Sequence, residues 1–131
     1  MTIQNTTGSS SDESKAEEGN LTVDGIWGQA TTKRLQEISG TVRDGAVSNQ
    51  YAVYKNANPG LAAGWDWKEK PSKPGSALIK AVQQMVGVNQ DGFIGPVTIK
   101  AMQKYWNTVQ DGIVSKPSIL VKAIQTWANN R

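Results

Sequence analysis

The chain has 131 residues and a formal net charge of +3, and it contains neither cysteine nor histidine. This composition excludes disulfides, thiolate chemistry, histidine-based acid–base catalysis and the usual cysteine–histidine metal sites, so no cofactor or metal is expected. No apolar run approaches the roughly 20 residues of a membrane span, and the N-terminus lacks the basic-then-apolar layout of a signal peptide, so neither feature is expected.

The first 20 residues differ in composition from the rest of the chain. They are rich in Thr, Ser, Asn, Glu and Gly with almost nothing to bury, so residues 1–20 are predicted to be a disordered linker. Four carboxylates against one lysine give this segment a charge of −3, which leaves +6 on residues 21–131. A basic folded part favours a polyanionic binding partner such as nucleic acid, an anionic membrane or a wall bearing teichoic acid. A soluble surface of mixed charge is the alternative.

Two stretches of the chain are copies of each other. Residues 24–48 align without a gap on residues 91–115, an offset of 67, and 12 of the 25 aligned positions are identical. Each copy starts with an Asp-Gly pair, continues as a predicted helix and ends with a second Asp-Gly pair. Duplicated turn-and-helix units are typical of a binding surface built by repetition.

Helical periodicity and its start and stop residues predict four helices. Serines suited to N-caps, a first-turn proline and C-terminal glycines mark their ends. The helices are expected at about 30–39, 76–86, 96–107 and from Ser115 or Ser118 to about 128. Between the first two, residues 49–74 contain prolines and aromatic residues, which predict an irregular connector with at most one short helical or strand piece.

No convincing apolar alternation indicates a sheet, so the predicted fold is all-α. We expect a compact helical bundle of two fused pseudo-repeats, joined by Asp-Gly turns and an aromatic connector. The predicted domain organisation is one binding domain at 21–131. It is divided into pseudo-repeat one at about 21–57, the connector at about 58–75 and pseudo-repeat two at about 76–131.

The four Asp-Gly pairs favour turns over calcium loops. Each loop supplies too few oxygen ligands for calcium, and none has a glutamate at the closing position. In a turn, the aspartate accepts backbone N–H groups while the glycine takes positive φ. Most carboxylates beyond residue 20 then serve turns, and Asp66 with Glu69 is the one pair left for glycoside hydrolysis. An enzyme is therefore disfavoured.

The aromatic connector favours sugar recognition. Trp65-Asp66-Trp67 alternates two indoles with a carboxylate, and an indole can stack on the C–H face of a sugar while polar groups bind its hydroxyls. Trp106 and Trp127, by contrast, fall on apolar helix faces and are expected in the core. The candidate ligand-binding residues are Trp65, Asp66, Trp67, Tyr51, Tyr54 and Trp27, with Gln36 and Gln103 at paired positions as second choices.

Nucleic-acid binding is disfavoured by the basic residues themselves. Lysines recur at one position of the helices, but arginine, which base recognition favours, occurs only three times. No motif that reads DNA or RNA accompanies them, so a solvated helix edge is the expected role of the lysines.

The second copy resembles a known family. Residues 91–103 followed by 111–115 are similar to the Asp-Gly-x-x-Gly-Pro-x-Thr, helix, Asp-Gly-x-x-Gly pattern of peptidoglycan-binding helical domains. The double form resembles the C-terminal cell-wall-binding domains of phage and prophage endolysins that act on Gram-positive bacteria. The chain departs from this pattern in two ways: Ser48 and Ser115 stand where a glycine is frequent, and the first copy has Gln29-Ala30 where the second has Pro96-Val97.

The resemblance implies a noncatalytic module that binds wall polymer: a peptidoglycan glycan, a muropeptide or teichoic acid. A separate upstream muramidase or amidase domain would perform lysis, and the protein would be made in the host cytoplasm and reach the wall without a signal peptide. The alternative from another class is a protein-interaction module that mediates assembly or homo-oligomerisation.

Overall fold

The computed structural model describes residues 20–131; the predicted linker, apart from Asn20, lies outside the described residues. The helices are α1 (Gln29–Ser39), α2 (Ala77–Val86), α3 (Pro96–Tyr105) and α4 (Ile119–Asn129), and the strands are β1 (Val47–Tyr51) and β2 (Trp65–Lys68). A short 3-10 helix, Ala52–Tyr54, follows β1. None of the helices in this part of the chain has the length and apolar composition to span a bilayer.

The predicted helix boundaries rest on local chemistry. The hydroxyls of Ser76 and Ser118 accept the N–H groups of Ile79 and Val121, so each serine caps the first turn of its helix. Pro96 stands in the first turn of α3, where a missing N–H costs no hydrogen bond. These features confirm the predicted starts of three helices, with Ser118 rather than Ser115 beginning the last.

The all-α prediction is wrong, because the connector contains a parallel two-stranded sheet. Val47 pairs with Trp65 and Tyr51 with Lys68. Strand β2 lies within the segment predicted to be irregular, residues 49–74, and β1 begins just before that segment and ends inside it. The four helices and this small sheet make a mixed α/β domain. Parallel pairing joins residues distant in sequence, and short strands without apolar alternation carry little local signal.

One hydrophobic core joins the helices to the connector. Helix α1 packs against α2 and α4, and α2 packs against α3. The core is completed by Trp27, Leu61 and Trp65 from outside the helices. The predicted inward residues Trp106 and Trp127 are half-buried against it, with ring centroids 5.4 Å apart.

Four glutamines make the same clamp on the four Asp-Gly loops. In each clamp Oε1 accepts the glycine N–H, while Nε2 donates to the aspartate carboxylate and to the carbonyl of the residue after the glycine, at 2.7–3.1 Å. The clamps join Gln36 to Asp44-Gly45, Gln83 to Asp91-Gly92, Gln103 to Asp111-Gly112 and Gln125 to Asp24-Gly25.

The turn interpretation of the Asp-Gly pairs is confirmed. Each aspartate also accepts the N–H of the residue two positions later, at 3.0–3.2 Å. The four glycines have φ between 74° and 81°, a conformation that favours glycine. At Gly92 a side chain would also collide with the carbonyl oxygen of Pro74.

The clamps define two structural units that do not follow the order of the chain. Unit two is continuous: α2, the Asp91 loop, α3 and the Asp111 loop. Unit one consists of the Asp24 loop, α1, the Asp44 loop and the C-terminal helix α4, which takes the place that α2 has in unit two. The N–H of Ser118 donates to Gly25 at 2.9 Å just as that of Ser76 donates to Gly92. The C-terminus therefore closes the domain on its N-terminal end.

The connector, in the wider range 49–74, lies at the meeting point of all four loops. The third residue after each loop aspartate is buried, and its N–H donates to the connector: Trp27 to Gly60, Val47 to Gly64, Ile94 to Gln50 and Val114 to Asn58. The distances are 2.7–2.9 Å. Because buried N–H groups need partners, the connector is part of the scaffold.

Candidate functional site

An open cleft separates the connector from unit two. It has a volume of about 480 Å³ and lies between Tyr51 and Tyr54, at the end of β1 and of the 3-10 helix, and the loop that leads into α3. We call it the aromatic cleft. It is lined by Tyr51, Tyr54, Lys73, Asn89, Asp91, Phe93, Ile94, Gly95, Pro96, Val97 and Thr98.

Three aromatic rings form the apolar wall of the aromatic cleft. The rings of Tyr51 and Phe93 pack with centroids 5.0 Å apart and planes tilted by 59°. Tyr54 lies across Gly95, where an added Cβ would be in van der Waals contact with the ring at 3.4 Å. Tyr51 is 36% exposed, which leaves its ring available to a ligand.

Local folding brings these rings together. Tyr51 ends β1 and Tyr54 ends the short 3-10 helix, so both follow the point where Gln50 is fixed to the Asp91 loop. Gln50 donates to the carbonyl of Gly92 and accepts the N–H of Ile94, at 2.9 and 2.7 Å. These two bonds set the connector tyrosines beside Phe93.

The polar groups of the aromatic cleft differ in availability. Lys73 and Asn89 are exposed and supply an ammonium and an amide at its edge. Asp91 accepts the N–H of Phe93 and an amide hydrogen of Gln83, and the Thr98 hydroxyl accepts from the same amide. Ring faces next to available donors suit a sugar carrying hydroxyl, amide or carboxylate groups.

Two of the predicted tryptophans lie in the core. Trp27 is fully buried, and its indole N–H donates to Thr32 at 2.9 Å. Trp65 is 7% exposed and donates to the Trp27 carbonyl at 3.2 Å, with the two rings edge to face. Neither ring presents a face to the aromatic cleft, so we leave both out of the proposed site.

The side chains of the two predicted glutamines are also buried and take part in the fold. Gln36 and Gln103 are each 3% exposed, and their amides are used in the clamps on the Asp44 and Asp111 loops. The turn bond from the Ala46 N–H, and after it the clamp bond from the Gln36 amide, lower the pKa of Asp44. The Gln103 amide and the Ile113 N–H lower the pKa of Asp111 in the same way.

Asp66 and Trp67 lie on β2 and are half-buried. The carboxylate of Asp66 accepts the N–H of Asn49 at 3.0 Å and pairs with Lys68 at 3.4 Å. The Asn49 bond above all holds the pKa of Asp66 below its usual value. Trp67 stacks on Trp65, with centroids 5.6 Å apart. Neither residue lines the aromatic cleft, which contains only Tyr51 and Tyr54 of the predicted set.

Sequence reasoning missed Phe93, Lys73, Asn89 and Pro96 as cleft residues. A signal was present, because Phe93 is the only phenylalanine in the chain and stands where the first copy has Ile26. Across residues 20–131, no cluster of three carboxylates is placed to hold a metal ion. Comparison with protein-family models, curated proteins and solved structures found no match to this chain.

Proposed function

We propose that this chain is a noncatalytic binding module that anchors a peptidoglycan hydrolase to the Gram-positive cell wall, and that the aromatic cleft holds a wall saccharide. The observation that carries the proposal is the group of three rings, Tyr51, Tyr54 and Phe93, beside exposed polar groups in a cavity of about 480 Å³. Such a cavity has room for a sugar unit to stack and to make directed hydrogen bonds.

The remaining carboxylates support a role without catalysis. Four of the seven aspartates and glutamates beyond residue 20 hold the Asp-Gly turns. Asp66 is engaged by Asn49 and Lys68, and Glu37 by two arginines. The lowered pKa values of Asp44, Asp66 and Asp111 favour their charged forms, and a charged carboxylate is a poor general acid.

Anchoring would act by raising the local concentration of the linked enzyme at the wall. A module that holds the wall raises the local concentration of a linked muramidase or amidase at its substrate. In this proposal the protein is made in the host cytoplasm and acts at the wall, and the partner is wall polymer rather than nucleic acid or membrane.

A pelleting assay on purified, protein-free Gram-positive walls tests the proposal. We expect the chain to sediment with the walls and to remain bound after teichoic acid is stripped, because the aromatic cleft is suited to a saccharide. The chain alone should not clear a wall suspension. Failure to bind walls from several hosts, together with concentration-dependent self-association, would favour an assembly module instead.

A further inference from the structure

A second cavity, on unit one, has the opposite character from the aromatic cleft. It has a volume of about 340 Å³, and Lys33, Arg34 and Arg43 line it together with Glu37 and the apolar Leu21. We call it the cationic cleft. Resting on the proposed function, we propose that the cationic cleft binds a phosphodiester group of an anionic cell-wall polymer.

The cationic cleft has an excess of positive charge. Arg34 and Arg43 both pair with Glu37, through Nη1 to its two carboxylate oxygens at 2.8 and 3.3 Å. Among residues 20–131, Lys33 forms no ion pair. Among the described residues that line the cleft, three cations against one carboxylate leave two positive charges, which attract an anion.

The fold holds two of the cations in place. The side chain of Arg34 is only 16% exposed, and its Nη2 donates to the Ala128 carbonyl of α4 at 3.3 Å. Its Nε is buried and has no partner among the described residues. Lys33 lies along Gly45, where a Cβ would be 3.1 Å from its Cε. Within residues 20–131 the buried Nε donor of Arg34 therefore has no hydrogen-bond partner, although a guanidinium ordinarily uses its N–H groups.

Unit two shows that the scaffold does not require these arginines. At the matching positions it has Ala101 for Arg34 and Gln110 for Arg43. Lys100 is retained and lies along Gly112 as Lys33 lies along Gly45. Because the same helix and clamp form with alanine and glutamine, neither arginine is needed for the clamp, although Arg34 also bonds to the Ala128 carbonyl of α4.

Phosphate chemistry fits the arginine pair. The planar guanidinium forms paired, charge-assisted hydrogen bonds to phosphate oxygens, which ammonium groups cannot match in geometry. A neutral saccharide gains little from such a surface. A polymer that repeats phosphodiesters would engage both the arginines and Lys33 and would lose affinity as salt rises.

Titration of the full ¹⁵N-labelled chain with poly(glycerol phosphate) tests this proposal. We expect the Arg34 Nε–H signal, assigned by its loss in Arg34→Ala, to shift with the polymer and not with neutral dextran. Arg34→Ala/Arg43→Gln, which installs the residues of unit two, should weaken binding about tenfold. Arg43→Gln alone should weaken it less, and it tests the cleft even if Arg34→Ala impairs folding. Lys122→Ala, exposed on α4 and outside both clefts, is the matched control.

Unchanged polymer affinity in both arginine variants would overturn the proposal. So would a shift of the Arg34 signal on neutralising Asp12, Glu13, Glu17 and Glu18 when the polymer has no effect, since the cleft would then hold the chain's own acidic segment. Polymer binding without any wall binding would overturn the proposed function alone. Wall binding that is equal in native and arginine variants, before and after stripping of teichoic acid, would overturn this proposal alone.

Discussion

Units one and two share a scaffold and differ in their surfaces. Gln125 on the Asp24 loop and Gln83 on the Asp91 loop make the same bonds, including one to a threonine at the start of the following helix. Outside these clamps, unit two combines with the connector to form the aromatic cleft, whereas unit one has the cationic cleft. The clamp therefore carries the fold and leaves neighbouring surface positions free to diverge.

The largest expected effect comes from breaking the clamp that closes the chain. Gln125→Leu would leave the N–H groups of Asp24 and Gly25 and the Ile26 carbonyl without their partner. Unpaired buried groups cost about 1–3 kcal/mol each, so we expect a loss of about 4 kcal/mol in the free energy of unfolding. Urea denaturation measures it.

Gln103→Leu is the matched comparison within unit two. It removes one backbone N–H bond rather than two, so the loss should be about 2 kcal/mol. Equal losses in the two variants would contradict a special role for Gln125 in joining the ends of the chain.

The next effect separates core from surface in the connector. Trp65→Ala removes a buried ring and should lower the free energy of unfolding by about 3–5 kcal/mol. Trp67→Ala removes a half-buried ring that stacks on it and should cost about 1–2 kcal/mol. Thermal and urea unfolding of both variants would measure this difference, and a stable Trp65→Ala that loses wall binding would return that ring to the site.

The smallest effect is a pH dependence shared by the units. Because the folded-state pKa values of Asp44 and Asp111 are lowered from 3.8, their bonds stabilise the fold above that pH, and this contribution is lost as the pH falls below it. Asp44→Asn/Asp111→Asn retains the turn acceptor but removes the charge. Its melting temperature should fall less between pH 5 and pH 3 than that of the native chain. Parallel pH curves would contradict the assignment.

The helices were predictable because their signals are local. Serine caps, the first-turn proline and terminal glycines act within one turn, and the structure retains them. The clamps also had a sequence signal. In three cases an Asp-Gly pair starts eight residues after a glutamine. Gln125 has no Asp-Gly pair at this spacing after it, and Asp24 has no glutamine at this spacing before it. Pairing Gln125 with the Asp24 loop predicts the contact that closes the domain.

The sheet and the site were harder to predict because they depend on distant pairings. Trp65 looks like a ligand-binding ring in an irregular segment, yet four loops, one of them carrying Trp27, donate to that segment and draw it into the core. Tyr51 reaches Phe93 only because Gln50 binds the Asp91 loop, 42 and 44 residues away. No periodicity in the sequence reports such contacts.

The most direct test compares tyrosines inside and outside the aromatic cleft. We would measure the affinity of Tyr51→Ala and Tyr54→Ala for stripped, protein-free walls, with Tyr105→Ala, 48% exposed on α3 and outside the cleft, as the control. We expect each cleft variant to stay folded and to bind about tenfold more weakly, while Tyr105→Ala binds like the native chain. Native affinity in both folded cleft variants would contradict wall binding through the aromatic cleft.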